Sequence, residues 1–276
     1  MRILVSFKVT PDFEALRESD WVAAADDAAD GVQTRYVRRV LNCFDESALE
    51  LALRLSEALA GAGVTASLDA VSVGGRDVEP YLKTLFALGY ERADRVHTDV
   101  GLDLAPGVTA ALIAGYVRRM DRSDMVMLGC RSGPGDGGTV PFRLAEALGW
   151  PCLTQVIEVE PLPDARLRVT CIADDGLLRA TLRLPCVLAV GNAVVSRLRV
   201  PTLTDRLARR DRHIQVHRAA DLGVDVDEEL RRQTCTLAGV DRIDRARAGA
   251  VIGGETPRDK ARALISGQLG TVIRNP

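Results

Sequence analysis

The segment that decides the fold is Asp124-Met125-Val126-Met127-Leu128, followed by Gly129-Cys130-Arg131-Ser132-Gly133-Pro134-Gly135-Asp136-Gly137-Gly138 and then Thr139–Leu148. The first part is a short apolar run without alternation, the pattern of a strand buried on both faces. Five glycines in the next ten residues let the backbone approach a ligand closely. The helical period that follows stops at Gly149-Trp150-Pro151. A helix N-terminus behind such a loop offers unbonded amides and a positive dipole end to an anion. Strand, glycine loop and helix in this order form the context of a nucleotide site, which is preferred here to a plain flexible connection. The loop carries neither GxGxxG nor the Gly-Lys-Ser/Thr of a P-loop, so Mg-dependent phosphoryl transfer is not supported.

Working outward, the same alternation recurs. A strand is expected over 2–9, a short one within Thr34–Leu41, and a helix after Asn42 or Asp45 as cap, stopped by Gly61 and Gly63. Strand 65–73, helix 78–88, strand 93–98 and helix Ala105–Met120 complete the first half. The acidic, Ala-rich segment 20–31 reads as an exposed loop or hairpin tip. Strands alternating with helices predict a parallel, doubly wound α/β sheet. Beyond Pro151, β-rich runs at 153–160, 166–173, 177–183 and 186–190 predict an antiparallel extension, with a hairpin at Asp174-Asp175-Gly176. After Gly191-Asn192 the chain reads as polar and irregular until a helix over Pro257–Leu269, which Thr256 caps. We therefore expect a nucleotide-binding domain over 1–191 and an extended arm over 192–276 that wraps a partner.

The strand-end loops Phe7-Lys8-Val9, Val71-Ser72-Val73-Gly74 and His97-Thr98-Asp99 should open onto the same crevice as the glycine loop. They hold no nucleophile–base pair and no carboxylate pair with a compelling spacing. Cys130 beside Arg131 could be an activated thiol, but six scattered cysteines favour an incidental one. They form no CxxC and predict neither a zinc cage nor a disulfide framework. His213 and His217 sit in an Arg-rich stretch and are expected on a solvated surface.

Over 276 residues the net charge is -2, which argues against nucleic-acid binding. No apolar run approaches a membrane span, and Met1-Arg2-Ile3-Leu4-Val5 enters a strand directly, so a cytoplasmic chain without membrane insertion is expected. Three lysines stand against 33 arginines, a bias of the kind a GC-rich genome produces.

Several motifs carry a resemblance. Arg2-Ile3-Leu4-Val5 and Phe7-Lys8-Val9 form an opening strand, and Asn42-Cys43-Phe44-Asp45-Glu46 stands ahead of a Leu-rich helix. Val71-Ser72-Val73-Gly74, the loop from Gly129 to Val140 with its Leu148-Gly149-Trp150-Pro151 ending, and Asp175-Gly176-Leu177 before Leu184-Pro185-Cys186-Val187 follow. Pro201-Thr202-Leu203, Ala220-Asp221-Leu222-Gly223-Val224 and Gly254-Glu255-Thr256 complete a collinear set. Together they resemble the beta subunit of electron transfer flavoproteins, a family that includes the nitrogen-fixation-associated homologues.

The resemblance implies an adenine-nucleotide alpha-hydrolase-like α/β fold and a heterodimer with an alpha subunit. It implies AMP in the beta subunit, or a second FAD in bifurcating members, and an FAD shared with alpha. Electrons would arrive from a flavin dehydrogenase of acyl-CoA dehydrogenase type and leave towards a quinone oxidoreductase. Carried over residue by residue, cofactor contacts fall on Phe7, Lys8, Val9, Asn42, Asp45, Val71, Ser72, Val73, Gly74, Gly129, Arg131, Asp136, Gly137, Gly138, Thr139 and Val140. Partner docking falls on Val194, Val195, Ser196, Arg197, Leu198 and Arg199. The chain departs from the family at Cys43, Thr139 and Pro141, where proline, glutamine and glycine are usual, and Pro141 removes one amide donor. The reading from another class is a stand-alone adenine-nucleotide-binding regulator of universal-stress-protein type, which would end near residue 150–190.

Overall fold

A computed structural model describes residues 1–26, 32–120, 123–133, 138–193, 196–232, 249 and 251–269. The chain forms two compact units, Met1–Gly239 and Val240–Pro276.

The first unit is built on strands β1 (Arg2–Ser6), β2 (Val9–Pro11), β3 (Arg39–Leu41), β4 (Ser67–Val73), β5 (Arg92–His97), β6 (Met125–Gly129), β7 (Cys152–Leu162), β8 (Arg166–Ala173), β9 (Gly176–Arg183), β10 (Cys186–Val190) and β11 (Val216–Arg218). Its helices are α1 (Glu18–Asp26), α2 (Cys43–Gly61), α3 (Glu79–Ala87), α4 (Pro106–Met120), α5 (Val140–Leu148), α6 (Leu203–Ala208) and α7 (Val226–Arg231). Among the described residues, nine strands make one sheet in the order β11-β5-β4-β1-β6-β10-β7-β8-β9. All neighbours from β11 to β7 are parallel, and β7-β8-β9 is antiparallel.

Burial on both faces follows from the opening strand. Ile3 and Val5 enter a core with Leu49, Leu55, Leu82 and Phe86 from α2 and α3. Leu4 enters the opposite core with Leu112 and Ile113 of α4 and Leu144 of α5. Period-2 alternation thus feeds two helix layers, and the sheet is doubly wound as the sequence predicts. From β1 the chain builds outward through β4 on one side and β6 on the other. The carboxyl ends of β1 and β6 therefore flank a topological switch point, where crevices open.

Four local readings are corrected. The expected strand 2–9 breaks after Ser6, because Phe7 and Lys8 leave the sheet and Val9–Pro11 pairs antiparallel with Arg39–Leu41. Within segment 20–31, Asp20–Asp26 is helical, part of α1; Ala-rich sequence favours helix, and Asp20 Oδ2 accepts the N–H of Arg17 at 2.7 Å. Residues 27–31 lie outside the described residues. Of the four runs beyond Pro151, β10 is inserted between β6 and β7 as a parallel strand, so only β8 and β9 are purely antiparallel. The stretch read as irregular holds α6, α7 and β11, and β11 pairs with β5 at the sheet edge. The Asp174-Asp175-Gly176 hairpin is present, with Ala173 opposite Gly176.

The second unit is described at residue 249 and over 251–269. Its helix α8 (Pro257–Leu264) starts as expected: Thr256 Oγ1 accepts the N–H of Asp259 at 3.2 Å, and proline occupies the first turn. One π-helical turn over Ile265–Leu269 continues it.

Candidate functional site

A crevice of about 510 Å³ lies at the carboxyl ends of the parallel strands. Its centre is a buried carboxylate. Asp45, in the first turn of α2, accepts the N–H of Gly129 on Oδ1 at 2.6 Å. Oδ2 accepts the N–H of Lys8 at 3.0 Å and the side-chain amide of Asn42 at 2.9 Å. Asn42 also donates to the carbonyl of Arg131 at 2.7 Å, and its own N–H donates to the carbonyl of Lys8 at 3.1 Å. Residues read as helix caps are thus diverted to brace the loops after β1 and β6 against α2. Burial pushes the Asp45 carboxyl up to about 6, with the donors from Gly129, Asn42 and Lys8 pulling it down.

The brace demands glycine. A Cβ at position 129 would lie 2.8 Å from Cβ of Phe44 and 2.9 Å from the backbone nitrogen of Asp45. Gly138 has φ +54, a conformation other residues rarely adopt, and it sits against the Cys130 carbonyl.

The crevice is lined by Phe7, Lys8, Val9, Asp45, Val73, Gly74, Gly129, Arg131, Gly138, Thr139 and Val140 of the expected set, and by Thr98. Three expected residues stand behind the wall. Asn42 braces as described, Val71 lies in the core beneath α4, and Ser72 is buried with its hydroxyl on the Phe7 carbonyl at 2.8 Å. Asp136, Gly137, Val194 and Val195 lie outside the described residues. Ser196 and Arg197 are exposed, Leu198 is half-buried, and Arg199 binds α2 through Glu50 and Glu57.

Lys8 Nζ crosses to Asp103 Oδ1 at 3.0 Å. The hydroxyl of Thr139, at the N-terminus of α5, is buried without a hydrogen-bond partner among the described residues. Pro141 lacks an N–H, and the first-turn amides of Val140 and Phe142 have no acceptor within the helix. Lys8, Arg131 and Arg143 add positive charge. A buried hydroxyl at a helix N-terminus, in a crevice whose lining includes these cations, fits a phosphate group.

Sequence reasoning missed four other lining residues: Asp103, Arg143, Glu229 and Arg232. The last two are supplied by α7 and the residue after it, and Arg232 donates to Glu229 at 3.0 Å. No local motif marks them. His217 is also corrected. It is half-buried, with Nε2 3.2 Å from Asp94 Oδ2 and its ring edge-on to Tyr116 at 5.4 Å; His213 is exposed as expected. Tyr116 donates to the same Asp94 oxygen at 2.8 Å, which pins β11 to β5 and α4. Cys130 is buried, and burial raises its thiol above the ordinary value, opposite to activation.

A family model for the electron transfer flavoprotein domain matches residues 31–222. The chain belongs to the electron transfer flavoprotein beta-subunit family. YgcR of Escherichia coli (strain K12), described provisionally as an electron transfer flavoprotein subunit, is 33% identical over 264 residues, 96% of each chain. The electron transfer flavoprotein subunit beta of Bacillus subtilis (strain 168) is 27% identical over 230 residues, 82% of this chain and 84% of the relative. That of Mycobacterium tuberculosis (strain H37Rv) is 26% identical over 221 residues, covering 79% and 76%. The family match takes in Asn42, Asp45 and the whole glycine loop. Membership carries an electron transfer flavoprotein role, an association with flavin and an alpha-subunit partner. Among the described residues, no helix is long and apolar enough to cross a membrane.

Proposed function

We propose that this electron transfer flavoprotein subunit holds AMP in the Asp45-braced crevice and helps to hold an FAD seated mainly on the alpha subunit. The observation that carries the reading is the buried Thr139 hydroxyl at the α5 N-terminus, without a hydrogen-bond partner among the described residues, on a residue that lines a crevice with Lys8, Arg131 and Arg143. Thr139 and the amides of Val140 and Phe142 would take the phosphate, and Gly74 and Val73 would let the adenosine lie close to the strand ends. The flavin, when bound, supplies the electron-carrying chemistry. The residues of this chain bind, orient and shield.

Electrons would come from a flavin dehydrogenase of acyl-CoA dehydrogenase type, docking at 194–199, and pass to a quinone oxidoreductase. Apart from β11 and α7, which pack on this chain's own sheet and crevice, the arm after residue 191 would wrap the alpha subunit, in a cytoplasmic heterodimer. A stand-alone regulator of universal-stress-protein type is not favoured, since relatives bearing the flavoprotein name align over four fifths of the chain. Co-expression with the alpha subunit tests the reading by gel filtration and visible spectroscopy. A one-to-one yellow complex supports it; separate elution without flavin absorption rejects it.

A further inference from the structure

The crevice residues that α7 supplies hang on a short length of chain. It runs from β11 through a 3-10 turn over Ala219–Leu222 to Val226–Arg231. β11 has three residues and, among the described residues, pairs with β5 alone. An edge strand that short opens readily unless side chains hold it.

Two contacts do so. His217 Nε2 lies 3.2 Å from Oδ2 of Asp94, a residue 1% exposed. The other oxygen, Oδ1, is buried without a hydrogen-bond partner among the described residues. Losing His217 would therefore leave that carboxylate with Tyr116 as its donor. The second contact sets backbone against helix. A Cβ at Gly115, within α4, would lie 2.9 Å from the Leu222 carbonyl oxygen and 2.9 Å from Cγ2 of Val224. Leu222 is buried, and Val224, Val226 and Leu230 pack against the core that α4 enters. The segment thus sits on α4 at a distance that glycine alone allows.

At the end of this segment Glu229 and Arg232 line the crevice. Arg232 Nη1 donates to Glu229 Oε1 at 3.0 Å. Glu229 Oε2 comes within 4.0 Å, and Arg143 Nη1 within 3.7 Å, of the place a Cβ would take at Gly107 in the first turn of α4. α7 therefore meets the start of α4 and a residue of α5, the helix that begins after Thr139. Neither holding contact involves the Asp45 brace or the glycine loop, so the segment can open while the phosphate site stays built.

We propose that the β11–α7 segment is a strap that closes the nucleotide crevice, with His217 and Gly115 as the positioning residues that keep it closed. Release of β11 from β5 opens the strap and lets nucleotide enter and leave. This rests on the AMP reading above and adds to it a route and a rate.

The test uses the purified heterodimer with its flavin and follows uptake of labelled AMP in exchange for bound AMP. H217A is expected to exchange about tenfold faster than wild type, the effect of losing one hydrogen bond to a charged group where opening limits the rate. G115A pushes on the strap from α4 and should act in the same direction. H217Q keeps a donor for Asp94 and should exchange near the wild-type rate. E229A/R232A thins the wall without touching the latch. It should also exchange faster, while hydrogen exchange at the Arg95 amide stays as in wild type. G61A, at the end of α2 away from the brace, is the control, and FAD content should be unchanged in every variant. Wild-type exchange in both H217A and G115A would overturn the strap. Loss of FAD in step with AMP would mark a general loosening of the fold and overturn it equally. A wild-type heterodimer that neither holds nor takes up AMP would overturn the AMP reading itself, and the strap's role with it.

Discussion

The Asp45 carboxylate accepts the backbone N–H of Gly129 at 2.6 Å, although the two residues lie 84 positions apart. Through its second oxygen the same carboxylate holds Lys8 and Asn42. The crevice is thus shaped by one side chain that ties together the ends of β1, β6 and the start of α2.

Removing that side chain leaves two backbone amides and one side-chain amide without their acceptor. D45A should therefore lower stability by at least about 2 kcal/mol, since each stranded buried donor costs roughly 1–3 kcal/mol. Thermal unfolding of the alpha–beta complex checks this. An unchanged Tm would show that the loops hold their places without the brace.

The pH dependence of Asp45 has a definite sign. Its folded-state carboxyl sits at about 6, above the ordinary 3.8, because burial outweighs the three donors. The folded protein then binds this proton more tightly than the unfolded chain does. The contribution is fully present below pH 3.8 and is lost as pH rises through about 6, amounting to on the order of 3 kcal/mol. Denaturant titrations of wild type and D45N should therefore differ in their trend between pH 4 and 7, with wild type losing more stability as pH rises.

Glycine substitutions separate two kinds of position. G129A places a methyl group 2.9 Å from the Asp45 backbone nitrogen, which a rigid neighbour cannot relieve. Overpacking of this kind costs about 1–3 kcal/mol, and nucleotide retention should fall with it. Gly61, the last residue of α2, has open space around its Cβ position. There G61A should stabilise by roughly 0.5–1 kcal/mol. Chemical denaturation of the two variants gives opposite shifts.

His217 latches the edge strand β11 through Asp94. H217A should speed hydrogen exchange at the amide of Arg95, which donates to the Gln215 carbonyl at 2.9 Å, and leave exchange in β1 unchanged. Equal protection at Arg95 would place the hold on β11 elsewhere.

The parallel core was legible because its signals are local. Apolar runs without strict alternation mark β1 and β6, and Gly149 with φ +69 ends α5 where the sequence places its stop. The glycine loop and the strand-end loops were legible for the same reason. Position 42 shows the limit: its sequence predicts a cap, but its amide is taken by Asp45 and by Arg131, 89 residues away. The α7 wall and the His217–Asp94 contact depend on chain segments more than 100 residues apart, with no periodicity to announce them. Insertion of β10 between β6 and β7 is a matter of pairing choice, which a β-rich run alone does not encode.

The central claim, AMP in the Asp45-braced crevice, is tested most directly by denaturing the purified heterodimer and quantifying what it releases. One AMP and one FAD per heterodimer is the predicted result. A flavin-bearing heterodimer that releases no AMP, or that releases a second FAD in its place, would contradict it.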